Sequence, residues 1–160
     1  MLEQGSKLMD ENPKVVIFST WTRFLDLIGI ALDRHGIKFL RLDGSIDSRS
    51  QDRCLSDFST SLNTNVLIAS LQTAGAGLNI TCASIAFIME PHWNPTVEAQ
   101  AVDRLHRIGQ TKKVWVFHFV TPNTIEEKII HVQNKKKQLA QSTILPTMDW
   151  RELLQEILSS

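Results

Sequence analysis

Short apolar runs alternate with stretches of helical spacing along the whole chain. Residues 15–19 (VVIFS) are a nearly continuous apolar run of the kind that fills a strand buried on both faces. Phe24, Leu25, Leu27, Ile28, Ala31 and Leu32 then recur at three- and four-residue intervals, which predicts a helix ending near His35 and Gly36. The alternation continues with a strand at 39–42, a helix at 48–58, a strand at 66–69 and a glycine-containing loop. After it come a strand at 85–88, a helix opening at Pro95, a strand at 114–120 and a helix over about 124–140. Strands separated by helices predict βαβ units, and therefore a three-layer α/β fold with a mostly parallel central sheet and helices on both faces.

In such a sheet the loops that follow the strands collect on one edge, and ligands bind there. Thr20 and Trp21, Gly44 and Ser45, residues 72–77 and residues 90–94 all follow predicted strands. These four segments are therefore expected to meet on one rim.

The helix opening at Pro95 carries the most specific chemistry. Asn94 suits the N-cap, and Pro95 suits the first helical position because it lacks the N–H that would be orphaned there. Val97, Ala101, Leu105 and Ile108 line one face, predicting a helix that runs to Gly109 with that face in the core. Gln100, Arg104 and Arg107 stand at i, i+4 and i+7, within an arc of roughly 60° at about 100° per residue. Two guanidinium groups and an amide that converge in this way suit a polyphosphate; a solvated basic edge is the plainer alternative.

Composition narrows the partners. The 160 residues fit one domain with a real core, 42% hydrophobic and 21% charged, so an extended disordered chain is excluded. The formal net charge of +0 means that no global field draws the chain to nucleic acid, and any basic surface is local. Cys54 and Cys82 have no nearby sequence partner, and neither C-x-x-C nor H-E-x-x-H occurs, so buried thiols in a reducing compartment are expected and no metal site is assigned. No signal-peptide build opens the sequence, and no apolar run approaches the 18 or so residues that cross a bilayer. No membrane partner is expected.

Several blocks in order give a family resemblance. QAVDRLHRIGQ, from Gln100 to Gln110, with the preceding PHWNP, resembles motif VI of superfamily-2 helicases in its Swi/Snf form. KVVIFSTW from Lys14 resembles motif IV, LDGSIDSRSQDRCLSDF from Leu42 the next block, and SLQTAGAGLNIT from Ser70 motif V. The resemblance spans about residues 14–140, and QNKKKQLA from Gln133 looks closest to the group around helicase-like transcription factor and the yeast post-replication-repair relatives. Two positions depart from the family pattern. Ala74 replaces the first motif V glycine, which puts a backbone contact there in doubt, and Glu90 stands where aspartate is common.

The resemblance implies a C-terminal RecA-like lobe spanning residues 13–141, after a linker at 1–12 and before a tail at 142–160. In the tail Asp149 suits a cap, and Trp150, Leu153, Leu154, Ile157 and Leu158 give a short amphipathic helix, which either braces a companion lobe or packs on its own domain. By the same resemblance Arg104 and Arg107 are arginine fingers, with Gln100, Gly77 and Asn79 on the nucleotide. Arginine suits this role because its fork makes a two-pronged contact that lysine cannot. Ser19, Thr20, Trp21, Gly44, Ser45, Gln72, Thr73, Gly75 and Trp93 would line a nucleic-acid track, because hydroxyls and glycine N–H groups suit phosphates without reading sequence. For the serines and threonines helix capping is an alternative. For Trp93 the alternatives are stacking on the strand track and a wedge under the motif VI helix, the second being favoured.

No G-x-x-x-x-G-K-[ST] loop occurs, so the resemblance assigns ATP and Mg²⁺ mainly to a first lobe that this sequence does not contain. The expected partners are that N-terminal ATPase lobe and double-stranded DNA or chromatin, the expected place is the nucleus, and the expected function is half of a DNA translocase acting in chromatin remodelling or DNA repair. Two other classes stay open at this point. One is a catalytically silent interaction domain. The other is a nucleotide-binding module built on Gly75 and Gly77, although its loop lacks a third glycine.

Overall fold

The computed structural model describes residues 12–75 and 77–141, with side chains as far as Lys136. The expected tail, and all of the expected linker but Asn12, lie outside the described residues.

Ten elements follow one another among the described residues, and the pattern predicts nine of them. They are β1 (Val15–Ser19), α1 (Thr22–Arg34), β2 (Phe39–Leu42), α2 (Ser48–Thr60), β3 (Val66–Ser70), α3 (Leu71–Gly75), β4 (Ile85–Ile88), α4 (Pro95–Val102), β5 (Trp115–His118) and α5 (Ile125–Gln141). The five strands lie in the order β2-β3-β1-β4-β5, and every pairing is parallel. From β1 the chain first builds outward to one side, with β2 and β3, and then to the other, with β4 and β5. β1 and β4 therefore flank the switch point at which α/β sheets open a crevice.

Register sorts the side chains into two faces. Leu42, Ala69, Phe18 and Ile88 share one row, and Leu40, Leu67, Val16, Ala86 and Val116 the next on the same face. Both rows join one core with Phe58 of α2, Leu71 and Ala74 of α3, and Ala101 of α4. The opposite face carries Arg41, Ile68, Ile17, Phe87 and Phe117 in one row. There α1 lies so close that a Cβ on Gly29 would sit 3.0 Å from Phe39 Cζ and 3.8 Å from Ile68 Cδ1. Helices thus cover both faces of a parallel sheet, and buried strands with apolar residues on both sides follow from that.

Local chemistry fixes the ends of the helices. Asp47 caps α2 by accepting from the Ser50 N–H at 2.9 Å, and the Lys14 ammonium closes its other end on the carbonyls of Phe58 and Ser61, the latter at 2.7 Å. Asn94 caps α4 by accepting from the Thr96 N–H at 3.1 Å, with Pro95 at the start of the helix, as the sequence predicts. Cys54 and Cys82 are free and half-buried, and burial pushes both thiols above their ordinary pKa.

Two elements differ from the sequence reading. The segment after β3 begins as a short helix, α3, and not as an open loop; Ala74 sits inside it, fully buried, where a helical residue has no need of glycine's freedom. The helix opening at Pro95 stops at Val102 instead of running to Gly109. Its last bonds shorten to the three-residue kind at Arg104 and Leu105, and the Arg104 carbonyl is taken by the Ile80 N–H at 3.0 Å. Beyond Val102 the chain leaves the helix in turns that close at Gly109 with φ +105. Ala101 and Leu105 are buried as the wheel predicts, but Ile108, beyond the break, is fully exposed.

Candidate nucleotide and nucleic-acid interface

The carboxyl ends of the strands make a continuous rim. A cleft of about 530 Å³ is lined by Thr20 and Thr22 after β1, Asp43, Gly44 and Ser45 after β2, and Ser70, Gln72 and Thr73 around the end of β3. Arg41 and Gln51 complete its wall. Five of the expected track residues, Thr20, Gly44, Ser45, Gln72 and Thr73, therefore share one opening. Gly44, Ser45 and Gln72 are exposed, whereas Thr73 is buried with its hydroxyl 2.7 Å from that of Ser70.

The remaining track candidates lie outside this cleft. Ser19 is fully buried: its hydroxyl donates to Glu90 Oε1 at 3.0 Å and accepts from the Trp21 N–H at 3.0 Å. Trp21 is 66% exposed. Trp93 is 57% exposed, with Lys136 Nζ 5.1 Å from its ring centroid, so it does not wedge under the motif VI helix. In place of a wedge, a buried hub anchors that helix. Glu98 Oε1 accepts from the His92 N–H at 2.6 Å and from Gln133 Nε2 at 2.7 Å, tying α4 to α5.

Glu90 joins the two strands at the switch point. Its Oε1 accepts from the Ser19 hydroxyl and the Thr20 N–H, which sets the course of the loop leaving β1. Oε2 is buried with no hydrogen-bond partner among the described residues. Burial pushes this carboxyl above its ordinary range against those two donors, and the charge of Glu126 adds to the rise.

Across the motif V segment, the basic side chains converge. Arg104 donates from Nε to the Ala74 carbonyl at 3.1 Å and from Nη2 to that of Gly75 at 3.3 Å. Arg107 donates from Nη1 to the Gly77 carbonyl at 3.3 Å. The Gln100 amide is on the same segment, its Oε1 3.9 Å from where a Cβ on Gly75 would stand. The three residues meet here although only Gln100 lies on α4 itself. Gly77, with φ +93, turns the chain out of α3, and Gly77 and Asn79 line a second cavity of about 500 Å³ against α2.

Several residues with structural or charged roles at the rim escaped the sequence reading: Arg41, the anion pair Asp26 and Asp43 that flank it, and the hub of Glu98 and Gln133. Strand alternation was the available signal for Arg41, since residues 41 and 43 point the same way from β2.

A doubly flanked parallel sheet with motif V and motif VI side chains meeting at its carboxyl-end rim defines a RecA-like ATPase lobe. The chain belongs to the helicase conserved C-terminal domain family, which residues 2–109 match. It is 44% identical over 139 residues to the DNA repair protein RAD5A of Arabidopsis thaliana, covering 87% of this chain and 14% of that protein. It is likewise 44% identical over 126 residues to the DNA repair protein rad8 of Schizosaccharomyces pombe, covering 79% and 11%. Among solved structures, the C-terminal part of the Fun30 ATPase domain superposes with a TM-score of 0.75 at 36% identity, over 82% of this chain and 43% of that one. These relatives place the lobe among Swi/Snf-type superfamily-2 ATPases, and the chain spans about a seventh or less of the length of the repair proteins it matches.

Proposed function

We propose that this chain is the second lobe of an ATP-dependent double-stranded DNA translocase of the kind used in DNA repair or chromatin remodelling. ATP and Mg²⁺ would be held mainly by a companion N-terminal lobe, in a nuclear setting. Arg104 and Arg107 act as arginine fingers, and Gln100, Gly77 and Asn79 border the nucleotide. Thr20, Trp21, Gly44, Ser45 and Gln72 contact the DNA backbone, with Ser19, Thr73 and Gly75 shaping the loops that carry them and Trp93 offering an exposed ring alongside.

One observation carries the nucleotide reading. Both guanidinium groups rest on neutral carbonyls of motif V, and among the described residues neither is paired with a carboxylate. Their positive charge is therefore positioned but not neutralised, the condition a finger needs to meet charge growing on phosphoryl oxygens. Hydrolysis in a two-lobe ATPase is mostly positioning and charge stabilisation, so this lobe contributes cations while the companion contributes the phosphate cradle. Opening and closing of the two lobes would then move the backbone-gripping rim along DNA.

The test is complementation. The isolated chain should hydrolyse ATP poorly, and joined to the first lobe of a Rad5-type relative it should hydrolyse ATP when duplex DNA is present. Full hydrolysis by a joined protein carrying Arg104→Ala and Arg107→Ala would overturn the assignment. A joined protein that folds, binds ATP and never turns over would favour a silent interaction domain.

A further inference from the structure

Arg41 is the one cation among the described residues lining the 530 Å³ cleft. It projects from the edge strand β2 on the face covered by α1, and three groups hold its guanidinium. Nε donates to Asp43 Oδ2 at 2.6 Å, Nη1 to Asp26 Oδ1, and Nη2 to the Thr22 carbonyl at 3.3 Å.

The two carboxylates are not equivalent. Asp43 is 5% exposed, and its other oxygen is already engaged by the N–H of Ser45 at 2.9 Å and by the Ser45 hydroxyl. That carboxylate belongs to the turn after β2 and fixes the Nε side of the fork. Asp26 is different: its side chain is 54% exposed and stands on the surface of α1. An ion pair so open to water is a weak tie, loosened further by salt. Arg41, which lines the polar cleft, therefore has one side of its fork anchored in the fold and the other side resting on an exposed carboxylate outside the cleft lining.

A phosphodiester is the anion that fits such a fork, because two parallel N–H groups match two phosphate oxygens and the contact carries no base information. The neutral donors in the same opening, the Thr20 hydroxyl and the Gln72 amide, would share the remaining oxygens. We infer that Arg41 is a backbone-gripping residue of this lobe and that Asp26 is a built-in stand-in for phosphate, displaced when DNA enters the cleft. This rests on reading the cleft as part of the DNA track. Until DNA arrives, the cation of this cleft is covered.

Anisotropy of a labelled DNA duplex, titrated with the chain at stepped low salt, tests the exchange. Arg41→Ala should weaken binding and flatten the salt dependence by about one counterion, and Arg41→Lys should not restore it. Asp26→Ala should do the opposite and tighten binding about three- to tenfold, by removing the competitor. That gain should vanish in the Arg41→Ala background. Thermal melts of every variant separate lost contact from lost fold. The inference is overturned if Asp26→Ala leaves binding unchanged, or tightens it equally without Arg41. Loss of binding in Gln72→Ala and Thr20→Ala with no response at Arg41 or Asp26 would leave the track reading standing and sink this one. Absence of any duplex binding by the unaltered chain would sink both.

Discussion

Arg104 Nε and the Ala74 carbonyl are 3.1 Å apart across 30 positions of sequence, and with them motif VI is tied to motif V. The acceptor is a neutral peptide group, so the bond orients the guanidinium without spending its charge. It also uses the carbonyl of the residue that stands where the family has a glycine, and Ala74 contributes its methyl group to the core at the same time. The departure from the family pattern therefore leaves this contact intact, since only the carbonyl is used.

The finger assignment predicts a separation of function from stability. Arg104→Lys or Arg107→Lys in a joined two-lobe protein should lower ATP turnover about a thousandfold or more, because a point charge cannot reproduce the fork. Melting temperature should barely move for Arg107, which is exposed, and fall modestly for half-buried Arg104. Turnover within tenfold of the unaltered protein would remove the residue from the reaction.

Glu90 predicts an unusual dependence on pH. Its carboxyl titrates above the ordinary range when folded, because burial disfavours the charge. The folded state therefore holds a proton that the unfolded chain has already released, and stability falls as pH rises through that interval. Glu90→Gln removes the titration. The variant should gain stability relative to the unaltered chain as pH is raised from about 4 to 7, the direction of the comparison being read from denaturant midpoints.

Asp43 predicts the reverse sign. The Ser45 hydroxyl above all, helped by the Ser45 N–H and Arg41, holds this carboxyl below its ordinary range in spite of burial. Its contribution is complete above the unfolded pKa and is lost as acid carries the pH down through the folded one. Asp43→Asn should cost about 1–3 kcal/mol at neutral pH, through weakened bonds to a buried group, and much less in acid. Urea titrations at two pH values would measure both.

Two glycines of one segment should respond differently. Gly77 has φ +93, so Gly77→Ala should cost about 1–2 kcal/mol although nothing crowds the site. Gly75 is helical, and an added Cβ would meet only Gln100 at 3.9 Å, so Gly75→Ala should be nearly neutral for folding. Equal losses at both positions would show that motif V is strained as a unit.

The α4–α5 hub is open to a direct test. Gln133→Leu removes a donor from buried Glu98 and should cost about 1–3 kcal/mol, the penalty of a buried polar group left short of one bond. Hydrogen exchange should quicken in α5 before it does in the sheet. Unchanged protection of α5 would mean that its packing rests elsewhere.

The alternation of strands and helices along the chain, and the rim at the strand ends, were legible in the sequence because periodicity is written locally; the order of strands across the sheet was not. An apolar run such as residues 15–19 can bury both faces only inside a covered sheet, and alternation with helices leaves only parallel pairing. The ordered motifs also single out Arg104 and Arg107, and the fold brings both onto the carbonyls of motif V. Where each side chain ends was not legible. The helix wheel carries α4 on to Ile108, yet the helix ends at Val102 and the Ile80 N–H, 24 positions away by numbering, meets the Arg104 carbonyl beyond it. Glu90 reads as a longer carboxylate at a family position until β1 and β4 become neighbours and give it Ser19 and Thr20, and Arg41 reads as one more basic residue until α1 lays Asp26 beside it. Local chemistry fixes which elements form. Which carbonyl, carboxylate or hydroxyl faces which cation is decided by contacts between segments distant in sequence, and only the folded arrangement supplies those.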